Sequence, residues 1–215
     1  MIVSHGRKFI FVHIPKTGGT ALALALESRA MADDLMVGDT PKAQRRKRRL
    51  SDVTTQGRLW KHSTLADGIG LYSLDQAQRY FTFTLVRNPW DRIVSYYHWL
   101  RHQRFAHPAV ALAQKVDFTA FLADPKIQHS LRAAPYSTYM TLPNGAEHCN
   151  AYLRLEHLDE DAAPLEAHLG FNITPLARAN TSDRGRDWRA YYDPRQRDLV
   201  ADLCRADITR FHYSY

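Results

Sequence analysis

Residues 13 to 21 read HIPKTGGTA, placing a lysine, two glycines and two threonines after an apolar run and ahead of a stretch rich in Ala and Leu. These residue types suit the capture of an anion. Successive N–H groups at the start of a helix point outward without partners, and the helix dipole adds partial positive charge there. Gly18 and Gly19 let the backbone approach the anion, Lys16 adds a full charge, and Thr17 and Thr20 add hydroxyl donors. A plain turn between strand and helix needs neither the lysine nor the threonines.

The fingerprint of a nucleoside triphosphate site is G-x-x-x-x-G-K-[ST], with Lys after the second Gly and a hydroxyl on magnesium. Here Lys16 precedes both glycines. A second junction follows in YFTFTLV–RNPWDRIVSYYHWLR, where the apolar run ends in Arg87 and not in an acidic residue that would hold magnesium. A basic residue at that place favours direct binding of an anion, with no metal site expected.

Two strand-to-helix units must position these turns. KFIFVHI, residues 8 to 14, reads as a strand buried on both faces of a parallel sheet, and TALALALESRAMADDL as the helix after it, with Leu22 and Leu26 on its apolar stripe. YFTFTLV, residues 80 to 86, predicts a second strand, followed by a helix capped by Asn88 with Pro89 at its first position. AYLRL, residues 151 to 155, predicts a third strand, and DEDAAPLEAHLG a helix closed by Gly170. A last helix is expected from Asp193 and Pro194, with Val200, Cys204, Ile208 and Phe211 on one face. Strands alternating with helices give an α/β sheet with helices on its faces.

FVHIPKTGGTA together with FTLVRNPWDRIVSYYHWL closely resembles the two nucleotide-binding signatures of sulfotransferases that use PAPS, 3′-phosphoadenosine 5′-phosphosulfate. The likeness is to the carbohydrate type, which includes heparan sulfate 2-O- and 6-O-sulfotransferases and many bacterial members. YLRLEHLDED, ARANTSDR and LCRADITRFHYSY are similar to the C-terminal half of that family. The resemblance implies a P-loop-NTPase-like three-layer fold with a central, mainly parallel sheet flanked by helices. It makes Lys16, Thr17, Gly18, Gly19 and Thr20 the cradle of the 5′-phosphosulfate, and gives the 3′-phosphate to Arg87 and Ser95. The alternative for Arg87 is an ion pair with Asp91, and for Ser95 a hydroxyl used in helix packing. The loop with Asn180, Ser182 and Arg184 is expected to close over the nucleotide.

Sulfuryl transfer leaves the protein to align donor and acceptor and to steady charge on the leaving group, for which the Lys16 ammonium is suited. The acceptor hydroxyl needs a base, and neutral imidazole is the usual choice near pH 7. Among 11 histidines, His62 in LWKHSTL occupies the place that resembles the family's catalytic His, between the two nucleotide signatures. An ordinary core or surface histidine is the competing account. His13 is assigned a packing or orienting role, His98 a place near the site or the core, Lys61 an assisting one, and Glu156 that of fallback base. Trp90, Tyr96, Tyr97 and Trp99 at helical spacing read as core rather than as a stacking platform.

Length and composition fit this reading. The 215 residues are 45% hydrophobic and 24% charged, as in a folded chain, and are read as one domain over 1–215. No apolar stretch is long enough to span a bilayer, and Cys149 and Cys204 lack disulfide or metal spacing, so the chain is read as cytoplasmic and, by its resemblance, bacterial. KAQRRKRR, from Lys42 to Arg49, holds six of the positive charges behind the net +7, so the excess is one local patch. The expected activity moves a sulfuryl group from PAPS to a hydroxyl of a carbohydrate or glycolipid and releases PAP, 3′-phosphoadenosine 5′-phosphate, with no nucleic-acid partner. A magnesium-dependent kinase on a similar phosphate site is the rival, and a nucleic-acid-binding module built on the basic run is the third reading.

Overall fold

Every residue of the strand β2, Phe9–Val12, is buried, and the alternation of its side chains shows why. Phe9 and Phe11 point into one apolar cluster while Ile10 and Val12 point into another, so both faces of the strand are covered. The computed structural model describes residues 1–177, 185 and 187–215. Its backbone forms two compact units, Met1–Val86 with Tyr136–Ala179, and Arg87–Pro135 with Asn180–Tyr215.

The first unit holds a five-stranded sheet in the order β3-β1-β2-β4-β5, with β1 at Ile2–Ser4, β3 at Leu35–Met36, β4 at Phe81–Val86 and β5 at Ala151–Arg154. β4 lies parallel to β2, with Phe9 opposite Phe81 and Val12 opposite Thr84, and β5 lies parallel to β4. β1 pairs antiparallel with both β2 and β3, so four strands run one way and β1 opposes them. The three expected strands are present; β1 and β3 are additions to that reading. The parallel register makes β2 and β4 end at the same edge of the sheet, so the chain leaves both at one place.

One face of this sheet, through Phe9, Phe11, Phe83, Leu85 and Leu153, packs on Leu22 and Leu26 of α1 (Gly19–Ser28) and on Leu165 and Leu169 of α9 (Ala163–Leu169). The opposite face, through Val3, Ile10 and Val12, packs on Leu65, Leu71, Tyr72 and Ala77, the last on α3 (Leu74–Arg79). Helix, sheet and helix make three layers, and the short α2 (Pro41–Arg46) and α8 (Leu158–Asp161) belong to the same unit. α1 stops at Ser28, short of the run through Leu35, because Leu35 and Met36 are drawn into pairing with β1. Gly170, with φ 74°, closes α9 as its left-handed C-terminal residue.

The second unit is helical, and α5 (Pro108–Lys115), α6 (Phe118–Ala123) and α7 (Pro125–Ala133) belong to it. Asn88 caps α4 (Pro89–Arg101) by accepting from the Trp90 N–H at 3.1 Å. Trp90 and Tyr97, each 4% exposed, pack with Phe118, Phe121, Leu122 and Val200 as core. The Tyr97 hydroxyl donates to the Val116 carbonyl at 2.8 Å and the Trp90 indole to that of Arg197 at 3.1 Å, so both polar tips are satisfied. The C-terminal helix divides into α10 (Pro194–Leu203) and α11 (Arg205–Phe211), because Cys204 leaves helical geometry at φ −110° and ψ 21°. Val200, Cys204 and Phe211 are nevertheless all buried.

Phe83 is fully buried and lies 5.4 Å from the ring of Phe11 and 5.7 Å from that of Phe9. Phe83→Ala is expected to cost about 3–5 kcal/mol in denaturant unfolding, since neighbouring strands close poorly over such a cavity. A loss too small to resolve would contradict its place at the centre of the sheet packing.

Candidate active site

After Val12 the chain leaves the sheet through His13 and Ile14, both buried, and turns sharply into α1. Lys16 has φ 66° and Gly18 φ 89°, while Thr17 between them and Gly19 after them stay at negative φ. Alternation of this kind turns consecutive N–H groups toward one concavity, and the left-handed Lys16 stores strain of order 1 kcal/mol to achieve it. The N-terminus of α1 carries no side-chain cap, in contrast with those of α3, α4 and α10. Its first amides are therefore left to a ligand or water.

The two glycines serve different needs. Gly18 requires its positive φ, and a Cβ there would come within 2.9 Å of the Leu155 side chain. Gly19 lies in ordinary helical geometry, but a Cβ would run into the imidazole of His13, which covers it. Thr17 is fully buried, and its hydroxyl donates to the Ile14 carbonyl at 2.9 Å. It braces the turn through its side chain and offers the concavity its amide. Lys16 and Thr20 are half-buried at the rim. A doubly charged phosphosulfate group fits such a cradle of amides with one adjacent ammonium.

His62 is held by a second turn, whose centre is Ser63. The buried Ser63 hydroxyl accepts from the Trp60 N–H at 2.9 Å and lies 2.9 Å from the carbonyl oxygens of both Arg58 and Trp60. From this turn the His62 Nδ1 reaches the carbonyl oxygen of His13 at 2.7 Å. A carbonyl only accepts, so Nδ1 carries the proton and Nε2 of the neutral ring keeps its lone pair. The two imidazoles meet edge to face at 4.7 Å, and the Trp60 indole lies 5.0 Å from His62. Burial lowers the pKa of His62 to about 4, with the Lys61 ammonium adding to the shift and the bond to His13 opposing it. Burial and neighbouring positive charge, Lys61 and Lys16 included, also hold His13 well below its ordinary value. Lys61 is itself paired with Asp39 at 2.7 Å.

The expected base and the expected cradle thus come together in the first unit, joined through His13. Arg87 and Ser95 belong to the second unit. Arg87 pairs with Asp91 through Nε at 2.9 Å and Nη2 at 2.5 Å, both side chains being largely buried, and Ser95 is buried on α4. His98 is buried in the same unit, 5.2 Å from the Tyr191 ring, and Glu156 stands exposed on a short helical turn after β5. Asn180, Ser182 and Arg184 lie outside the described residues. Half of the basic run has structural work: Lys42 donates to the Glu27 carbonyl at 2.5 Å, Arg46 to that of Met31 at 2.8 Å, and Arg49 to that of Ala32, all at or just past the end of α1. Arg45, Lys47 and Arg48 are exposed. No group of three or more metal-ligating side chains occurs among the described residues, and none of their helices is long and apolar enough to cross a membrane. Ser63, Asp39 and the His13 carbonyl escape a reading by residue type, since only the fold brings them to His62.

His13 and His62 are neutral in the folded protein and would titrate near 6.5 once unfolded. Their folded values are depressed, so the stability they contribute is complete above pH 6.5 and is lost as pH falls toward 4. Lowering the pH from 7.5 to 5 is expected to cost on the order of 2 kcal/mol through His62 alone. Unfolding midpoints at the two pH values should therefore converge in His62→Gln relative to wild type. An equal acid loss in both proteins would contradict a desolvated, neutral His62.

The family model for sulfotransferases matches residues 1–214. No curated relative matches the chain. Among solved structures, the mouse sulfotransferase SULT7A1 complexed with PAP is similar at 15% identity over 93% of this chain and 83% of that one, with a TM-score of 0.47. With the match running almost from end to end, the chain belongs to the sulfotransferase family.

Proposed function

We propose that this sulfotransferase moves a sulfuryl group from PAPS to a hydroxyl of a carbohydrate or glycolipid, with His62 as general base and Lys16 as the cation of the donor cradle. The observation that carries this reading is the hydrogen bond from His62 Nδ1 to the carbonyl of His13, the residue whose ring covers Gly19. Base and cradle are thereby fixed to one another through a single residue. PAPS, when bound, supplies the activated sulfuryl group and leaves as PAP.

The protein's part is alignment and electrostatics. The amides of Thr17 to Thr20 receive the 5′ end of the donor, and the Lys16 ammonium offsets the charge that grows on the departing phosphate. Arg87, braced by Asp91, and Ser95 receive the 3′-phosphate, as the resemblance to the PAPS-dependent family implies. His62 Nε2 accepts the acceptor's proton. A base with a pKa of about 4 suffices, because the acceptor oxygen surrenders its proton only as its bond to sulfur forms and its own acidity rises. The low value also keeps the ring in its accepting form across the whole physiological range.

Lys16→Ala is expected to lower turnover by about 100- to 1,000-fold while thermal unfolding stays near that of wild type. Turnover is read as PAP formed from PAPS in the presence of an oligosaccharide acceptor, and full turnover would remove the cradle assignment. His62→Ala should cut the rate by about 100- to 10,000-fold with PAP affinity nearly unchanged, and the wild-type rate should stay flat from pH 8 to 6. Near-normal turnover in the variant, or a wild-type acid limb near 6.5, would direct the search to another base.

A further inference from the structure

Trp60 is 46% exposed, one of four large apolar side chains standing at the surface among the described residues. Its position is not incidental. It lies two residues before His62, and the two rings approach edge to face at 5.0 Å with an interplanar angle of 83°. The backbone under it is tied down, since the Trp60 N–H and carbonyl both bond to Ser63, a residue with no exposure of its own. The Arg58 guanidinium stands 6.0 Å from the indole centroid, and Arg58 forms no ion pair among the described residues.

With one edge toward His62, the indole still leaves nearly half of its surface open beside that imidazole. A rigid ring of this kind loses little entropy when it receives a ligand. The face of an indole is electronegative, and it attracts the weakly positive C–H bonds that line one side of a pyranose. We infer that Trp60 is the platform on which a pyranose unit of the acceptor stacks, so that an adjoining hydroxyl is presented to His62. This inference rests on the proposed function and names a residue that selects the acceptor. Arg58 lies over the indole in a cation–π contact, 6.0 Å from its centroid, and leaves the opposite face to the sugar.

The test reads saccharide binding without the donor. Cellotetraose, chitotetraose, a heparosan tetrasaccharide and the flat phenol 2-naphthol are titrated separately against wild type, Trp60→Ala and Trp60→Phe, with tryptophan fluorescence and ligand-observed NMR as readouts. Thermal unfolding is the control for folding of each variant and PAP affinity by calorimetry the control for donor binding, and Trp60→Phe keeps a ring in place should Trp60→Ala fail to fold. The expected result is saturable binding of at least one saccharide to wild type, weakened about tenfold or more in Trp60→Ala and less in Trp60→Phe. Saccharide binding that is equal in wild type and Trp60→Ala, the absence of binding by all three saccharides, or tighter binding of 2-naphthol than of any saccharide would overturn the platform. Because no donor is present, failure of the PAPS reading would appear in the PAP control and leave the saccharide result to be judged by itself.

Discussion

The carbonyl oxygen of His13 holds the proton of His62 Nδ1, while the ring of the same residue fills the space over Gly19. Much of the site depends on this double contact. It sets the tautomer of His62, orients its lone pair, and fixes that ring relative to the first turn of α1. It also explains why residue 19 has no side chain, a demand that conformation alone would not make. The cost is two imidazoles, one buried and one half-buried, that must stay neutral, and it is met because each is desolvated among positive neighbours that already disfavour a second charge.

The sheet makes that contact possible. β2 and β4 are adjacent and parallel, so both end at one edge of the sheet, and the turn from Pro15 to Thr20 follows β2 there. Around the cradle the backbone accepts a left-handed lysine and an uncapped helix, the kind of local cost that persists only where the surrounding packing compels it. Thr17 shows how far the packing reaches, for its hydroxyl turns inward to Ile14 and holds the turn closed from beneath.

Much of this was legible in the sequence where a local pattern determines a local structure. Short continuous apolar runs marked β2 and β4, Asn88–Pro89 marked the start of α4, and Gly170 marked the end of α9. The segments that escaped depend on partners distant in the chain. β1 and β3, three and two residues long, exist through pairing with strands formed elsewhere, and their residues carry no pattern long enough to read. The turn from Arg58 to Ser63 has no helical or strand period at all; one buried hydroxyl with several partners organises it. Half of the basic run, which as composition pointed outward to a polyanion, is tied to main-chain carbonyls at the end of α1. The expected single C-terminal helix failed at Cys204, a residue with no glycine or proline nearby to announce a break.

On the proposed function, the turn from Pro15 to Thr20 grips the 5′ end of PAP directly, through amides and Lys16. Calorimetric titration with PAP and with ATP, each in excess EDTA and again in excess magnesium, tests it most plainly. PAP is expected to bind more tightly than ATP and with the same affinity in both media. Tighter binding of ATP that appears only with magnesium would contradict it.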